Sequence, residues 1–557
     1  MNITNVIIQT LGGLGLFILG MNMMTEGLQM SAGNRIKKVL SAISSNRIIG
    51  CATGAGVTAV IQSSSATTVM LIGFVGAGMM TLQQAVGVVL GVNMGTTVTA
   101  QLIAFKLTKA ALPAIAIGVS MKFFSKKRKF RYIGEIILGF GLLFYGMTIM
   151  KHGLSPIKSD PAFISFFTHF DASGLGGILL CVAMGAILTI MVQSSSATVG
   201  LTMALATQGL LTFPGAMALV LGENIGTTIT AEIATIGSTN INAHRTARAH
   251  TLFNVIGVGI MVALFPFFVK IIEFITLQMG AGSVNEVVKG DMINISRYIA
   301  NGHTMFNVIN AMIFLIFLPW LIKAAIFLSP KEEEAEDCFR LPHFDNTFMD
   351  SPVAALAQVH GEIIRMGEMA QAELKNTVNC INNRNLKKLG KWKRYEDFLD
   401  TMQKELLSYL TTISQGGVNE YEAQEISALM RMTNNMERIG DSIESIAKFV
   451  ENRIENNIKF SGIALSDLNK IANEVMKFLE FVTFGMQGKN KEFMEIAHSM
   501  ENRIDAMREQ MRTGHVDRLR SGDCSVEPGL IFMGMLSNFE KIGDYCLNIA
   551  QAIASNK

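Results

Sequence analysis

The sequence predicts an all-α chain in two parts: a polytopic membrane domain of two inverted repeats with re-entrant helical hairpins, then a soluble helical bundle. Three observations carry this. Residues 1–330 hold 20 Lys+Arg and 9 Asp+Glu in apolar, Gly-rich sequence, whereas residues 331–557 hold 27 and 35. Inside the apolar part, two polar peptides recur at one offset. In the charged part, Leu, Ile and Met fall at i, i+3, i+4 spacing with almost no strand signal.

The duplication is explicit. Ile61-Gln62-Ser63-Ser64-Ser65-Ala66-Thr67 returns as Val192-Gln193-Ser194-Ser195-Ser196-Ala197-Thr198, and Asn93-Met94-Gly95-Thr96-Thr97 returns as Asn224-Ile225-Gly226-Thr227-Thr228. Both pairs are 131 residues apart, and unrelated matches would not share an offset by chance. Upstream, Gly13–Met21 resembles Gly139–Met147 at an offset of 126, so a short insertion separates the two registers. The repeats are expected over about 4–124 and 132–263, with further spans to 328, a linker at 331–350 and the soluble domain at 351–557.

Charge orients the repeats. Arg35, Lys37, Lys38 and Arg47 follow the first helix without an acid, and the linker between copies is Lys126-Lys127-Arg128-Lys129-Phe130-Arg131. The counterpart segment in copy two carries Lys151 and Lys158 against Asp160 and Asp171. The positive-inside rule puts the first two segments in the cytoplasm and the third outside, which inverts one copy against the other. Arg245 and Arg248 mark the next cytoplasmic loop, and 282–297 the next external one. An apolar run from Val308 to Leu328 is expected to return the chain to the cytoplasm of a plasma (inner) membrane protein. The first 26 residues lack a basic n-region, so no cleavable signal peptide is expected.

The Gln-Ser-Ser-Ser segments are broken by Gly50, Gly54 and Gly56 before the first and Gly73, Gly76 and Gly78 after it. A re-entrant hairpin with the polar peptide at its tip fits better than a simple span, because irregular backbone at membrane depth must line protein or a cavity. Ser63, Ser64, Ser65, Ser194, Ser195 and Ser196 offer hydroxyls, Gln62 and Gln193 offer amides, and broken helices offer free N–H groups suited to an oxyanion. Asn93, Thr96, Thr97, Asn224, Thr227 and Thr228 offer neutral oxygens suited to a hard cation. No Lys or Arg lies in either peptide, so a bound anion needs co-bound cations. Single Ser clusters commonly glue membrane helices. Four islands in two matched pairs argue for a transport site at a repeat interface instead.

QSSSATT with NMGTT, repeated as QSSSAT with NIGTT, resembles the type II sodium–phosphate cotransporter family over about residues 1–330. The resemblance implies phosphate at Gln62–Ser65 and Gln193–Ser196, with sodium near the Asn and Thr positions. His250-Thr251-Leu252-Phe253-Asn254 resembles the family's HxxFN segment and recurs as His303-Thr304-Met305-Phe306-Asn307, where helix packing is the expected role. Some members carry an aspartate shortly after the first NIGT peptide, linked to an extra sodium. Here no acid lies between Glu26 and Glu135, while Glu223 and Glu232 flank the second copy. That absence points to electroneutral transport, with Glu223 able to supply the missing charge.

In the soluble part, Asn435–Asp441 returns as Asn538–Asp544, 103 residues on. Carboxylates stand at i and i+4 in Glu437/Asp441, Glu540/Asp544, Glu396/Asp400 and Glu501/Asp505, so each pair shares a helix face. The ERIGD/EKIGD repeat resembles PhoU, a tandem three-helix-bundle domain. That resemblance implies a divalent or trivalent metal at these eight carboxylates; the alternative is a solvated acidic face neutralised by Arg438 and Lys541. The six cysteines (51, 181, 338, 380, 524, 546) show no CxxC spacing and read as reduced structural thiols.

The expected function is sodium-coupled symport of inorganic phosphate with a cytoplasmic PhoU-like regulatory domain. A membrane-anchored phosphate sensor without net transport is the alternative. Expected partners are phosphate, sodium ions and the lipid bilayer, with no nucleic acid and a homodimer left open. An enzyme is disfavoured: there is no Walker peptide, nucleophile–base pair or His/Cys metal cluster.

Overall fold

The computed structural model describes residues 3–32, 46–76, 80–105, 108–156, 165–235, 240–288, 290–329, 352–383, 389–390, 392–416, 418, 420–486 and 492–555. Arg35, Lys37, Lys38, Lys158, Asp160, Cys338 and the 331–350 linker lie outside the described residues. The chain forms two compact units, the first drawn from residues up to 333 and the second chiefly from 334–557.

The first unit opens with helices α1 (Ile3–Ala32), α2 (Arg47–Ile61), α3 (Ser64–Gly76), α4 (Leu82–Ala104) and α5 (Ala111–Phe124). A matching series follows: α6 (Arg128–Leu154), α7 (Leu175–Val192), α8 (Ser195–Thr207), α9 (Phe213–Gly226), the short α10 (Ile229–Ile233) and α11 (Ile241–Ala263). Then come α12 (Phe265–Gln278), a two-stranded ribbon of β1 (Val287–Val288) and β2 (Asp291–Met292), α13 (Ile295–Ile316) and α14 (Leu318–Phe327). Among the described residues six helices are long and apolar enough to cross a bilayer: α1, α4, α6, α7, α11 and α13. This is a multi-pass membrane protein. The expected single run over Val308–Leu328 is corrected: α13 stops at Ile316 and α14 restarts at Leu318, with Pro319 in its first turn. Proline removes an N–H and clashes with the preceding turn, so the helix breaks there.

The two series share contacts as well as sequence. Gly54, Gly91 and Gly95 face the carbonyls of Val88, Cys51 and Ala55, which brings α2 and α4 into backbone contact. Gly185, Gly222 and Gly226 face Leu219, Val182 and Ala186 between α7 and α9 in the same way, each pair displaced by 131 residues. A Cβ at Gly95 would stand 2.5 Å from the Ala55 oxygen, and one at Gly226 would stand 2.5 Å from the Ala186 oxygen. Only glycine permits that approach. Thr81 caps α4 in a capping box with Gln84, and its counterpart Thr212 caps α9 by accepting from Gly215 N.

The leading helices of the two series pack on each other antiparallel. Gly13 of α1 meets Gly146 of α6, Gly20 meets Gly139, and Gly27 meets Tyr132, so one number falls as the other rises. Phe17, buried in the main core with Phe144 and Met150, covers Gly200 of α8.

The second unit has six long helices: α15 (Pro352–Asn383), α16 (Trp392–Gln415), α17 (Glu420–Glu455), α18 (Gly462–Gly485), α19 (Phe493–Arg520) and α20 (Val526–Ser555). Their apolar faces fill one core in which α17 and α20, the two helices carrying the repeated Ile-Gly-Asp, lie side by side. Arg453 is buried at the end of α17, where its guanidinium donates to the Ile381 carbonyl (2.6 Å) and covers the Phe460 ring. Cys51, Cys181, Cys380 and Cys546 are buried free thiols, and Cys524 is a partly exposed one in the α19–α20 turn.

Candidate functional site

Each Gln-Ser-Ser-Ser peptide lies at a sharp break between two helices. Gln62 ends α2 in the left-handed region (φ 58°), and Gln193 ends α7 likewise (φ 55°). Their N–H groups close the preceding helix on Thr58 and Thr189 carbonyls, both at 2.7 Å. The next serine then caps the following helix: Ser63 Oγ accepts from Ala66 N (3.2 Å) and Ser194 Oγ from Ala197 N (3.3 Å). A non-glycine left-handed residue is uncommon, and two at equivalent positions mark a built feature. The first-turn N–H groups of α3 and α8 therefore point out of a helix N-terminus beside three hydroxyls, an arrangement suited to an oxyanion.

The two tips differ in surroundings. Gln62 and Ser64 are buried and Ser63 and Ser65 half-buried; Gln193 is exposed, Ser194 and Ser195 half-buried and Ser196 buried. Gln62 donates to the Ala59 carbonyl (2.5 Å), and its Oε1 accepts from Thr99 Oγ1. Thr230, the counterpart of Thr99 in the second series, instead donates to Ser65 Oγ of the first tip (3.1 Å). Matched threonines from the two series thus both reach one tip. Neither was singled out from sequence, although the 131-residue offset they share was the available signal.

The Asn-x-Gly-Thr-Thr peptides lie within α4 and at the end of α9. Thr96, Thr97, Thr227 and Thr228 donate to the carbonyls of Val92, Met94, Glu223 and Ile225. Each hydroxyl spends its proton on backbone and keeps lone pairs for a cation. Asn93 is held at both amide ends: it donates to Asn254 Oδ1 (2.6 Å) and its Oδ1 faces His250 Nε2 (3.1 Å). Asn224 Oδ1 accepts from Asn307 Nδ2 (3.3 Å). The two His-Thr-x-Phe-Asn segments therefore back the two Asn peptides, one each. His250 and His303 are fully buried helix residues, as packing required, and His250 adds a polar link to the motif.

In the second unit the eight carboxylates sort into two triads. Oxygens of Glu396, Asp400 and Asp441 come within 4.8 Å of one another, as do those of Glu501, Asp505 and Asp544. Glu437 and Glu540 stand outside both triads, and Arg508 lies 3.7 Å from Glu540. Burial, then the neighbouring carboxylates, pushes Glu396, Asp441, Glu501 and Asp544 above the usual carboxylate range. Such groups hold protons, cations or metal to relieve one another.

Comparison with known proteins agrees with this geometry. Residues 16–152 and 172–285 match the Na+/Pi-cotransporter family, and residues 363–450 and 468–553 match the PhoU domain. The chain belongs to the Na+/Pi-cotransporter family and carries a C-terminal PhoU domain, which places it among phosphate-transport proteins. It is 23% identical over 549 residues to the "Putative inorganic phosphate export protein YjbB" of Escherichia coli (strain K12), covering 98% of this chain and 97% of that one. It is 30% identical over 299 residues to the "Uncharacterized protein YqeW" of Bacillus subtilis (strain 168), covering 54% of this chain and 90% of that one. A shorter match, 31% over 96 residues, links it to the rat "Sodium-dependent phosphate transport protein 2A", covering 17% of this chain and 15% of that one.

Proposed function

We propose that the chain is a sodium-coupled symporter of inorganic phosphate in a plasma membrane, with a cytoplasmic PhoU-like domain that regulates it. The observation that carries this is the Thr230–Ser65 hydrogen bond, by which the second series touches the oxyanion-suited tip of the first. Phosphate would take the hydroxyls and helix N-termini of Gln62–Ser65 and Gln193–Ser196. Sodium would take the oxygens around Asn93, Thr96, Thr97, Asn224, Thr227 and Thr228. The site offers the anion no Lys or Arg, so co-bound sodium supplies the charge balance and thereby the coupling.

The two series act as inverted halves, 4–124 and 132–263, within a membrane domain of 1–330. Antiparallel α1 and α6 support that relation. The acidic triads hold a divalent or trivalent metal within the 351–557 domain. The test is phosphate flux in proteoliposomes with sodium and phosphate gradients imposed separately. Flux that follows the sodium gradient supports symport, and phosphate binding without net flux would make the protein a membrane-anchored sensor. The Escherichia coli relative, named for phosphate export, shares both domains. Flux out of vesicles that resists an inward sodium gradient would favour that direction.

A further inference from the structure

Glu223 breaks the symmetry of the repeats. It immediately precedes Asn224 on α9, whereas the matching position before Asn93 is Val92. The residue is 1% exposed. Its Oε1 accepts from Thr202 Oγ1 of α8 (2.8 Å), and its Oε2 has no hydrogen-bond partner. No basic side chain among the described residues pairs with it. A carboxylate at membrane depth is costly unless a cation or proton accompanies it. Nearby groups are oxygen-rich: Asn307, bonded to Asn224, keeps a buried Oδ1 without a partner. The Thr227 hydroxyl donates to the Glu223 carbonyl and keeps its lone pairs. Oxygens with no donors aimed at them suit a hard cation, and they would repel phosphate.

We infer that Glu223 is the charged ligand of a sodium site present only in the second repeat, adjoining Asn224 and reaching Thr202 on the far side of the Gln193–Ser196 tip. This rests on the phosphate symport proposed above and refines its stoichiometry. Two sodium ions balance a phosphate dianion; a third, drawn in by Glu223, leaves one net positive charge moved per cycle. The acid-free first repeat then does not make transport electroneutral, because the carboxylate has come from the other copy. Thr202 lies in the helix that the second tip caps, so sodium at Glu223 would brace that helix against α9 and favour the phosphate-binding form of the tip.

The test uses the purified full-length protein and Glu223→Gln. Without phosphate, sodium chloride should raise the thermal midpoint of the wild type above that in potassium chloride at equal ionic strength, and Glu223→Gln should lose most of the difference. In proteoliposomes, limiting wild-type accumulation should rise about 50-fold per 100 mV of inside-negative potential, and Glu223→Gln should respond little. If Glu223→Gln does not fold, Thr202→Val serves, with the sodium midpoint displaced several-fold. Unchanged sodium protection and potential response in a folded variant would overturn the inference, leaving Glu223 a neutral acid that joins two helices. Protection that follows pH and not sodium would overturn it equally, giving the carboxylate to a proton. Phosphate protection of the melting temperature, measured alongside, reports on the phosphate site separately.

Discussion

Ser64 and Ser195 begin the helices that follow the two breaks, where a hydroxyl and a first-turn N–H can serve one oxyanion together. Ser64→Ala and Ser195→Ala should each weaken phosphate binding about tenfold, the loss of one charge-assisted hydrogen bond, with folding retained. Isothermal titration of both purified variants with phosphate at fixed sodium checks this; unchanged affinity in both would remove the tips from the site. In the second unit, Glu373 is buried with one oxygen bonded by Thr377 and the other without a partner, in a small cavity lined by Trp392, Tyr395, Glu396 and Glu444. Burial pushes its carboxyl from the ordinary 4.5 up to about 7. The folded state thus holds a proton that the unfolded chain releases. Its contribution to stability is complete below pH 4.5 and is lost as pH rises to about 7, at a cost of order 3 kcal/mol. Glu373→Gln should flatten that fall, as denaturant titrations of the full chain at pH 5 and pH 8 would reveal.

At the scale of elements, the breaks at Gln62 and Gln193 were legible because two glycine-interrupted copies implied backbone that leaves the helix. The partners of the tips were not legible. Thr99 and Thr230 stand at equivalent positions yet make different bonds, a choice set by tertiary packing. The break at Pro319 was lost inside a uniformly apolar run, where hydropathy carries no information about helix continuity. The eight carboxylates were found by their i, i+4 spacing, but spacing on one helix could not say which pairs meet across helices. Packing admits Asp441 and Asp544 and leaves Glu437 and Glu540 aside. Asp441→Asn together with Asp544→Asn should abolish bound metal in elemental analysis of the purified full chain. It should also remove the melting shift produced by iron, zinc or magnesium; metal content equal to wild type would assign those ions elsewhere. Between α1 and α6 a Cβ at Gly139 would lie 2.5 Å from the Gly20 oxygen. Gly139→Val should therefore prevent that approach and sharply reduce the yield of monodisperse protein, whereas valine at Gly15, which has open space around it, should not.

Across the whole molecule, composition separated the two units because a bilayer and water demand opposite surfaces. Orientation depended on few charges, and Arg35, Lys37 and Lys38 fall outside the described residues. In a cysteine-free background, Ser125→Cys before α6 should react with a membrane-impermeant maleimide only from the cytoplasmic side. Ser173→Cys before α7 should react only from outside. Labelling of both from one side would undo the inverted arrangement.

The α1–α6 seam has a further property. Gly13 faces Gly146 and Gly20 faces Gly139, and 139 and 146 are the counterparts of 13 and 20. Each helix therefore presents to its neighbour the same pattern it receives. A surface of that kind is isologous, complementary to a second copy of itself about a two-fold axis. A polypeptide of half this length could make the seam by pairing with its twin, so the peptide link between the halves is a convenience of synthesis, not a requirement of assembly. Two fragments divided in the basic linker near Lys127, produced together in one cell, should find each other in the membrane and co-purify.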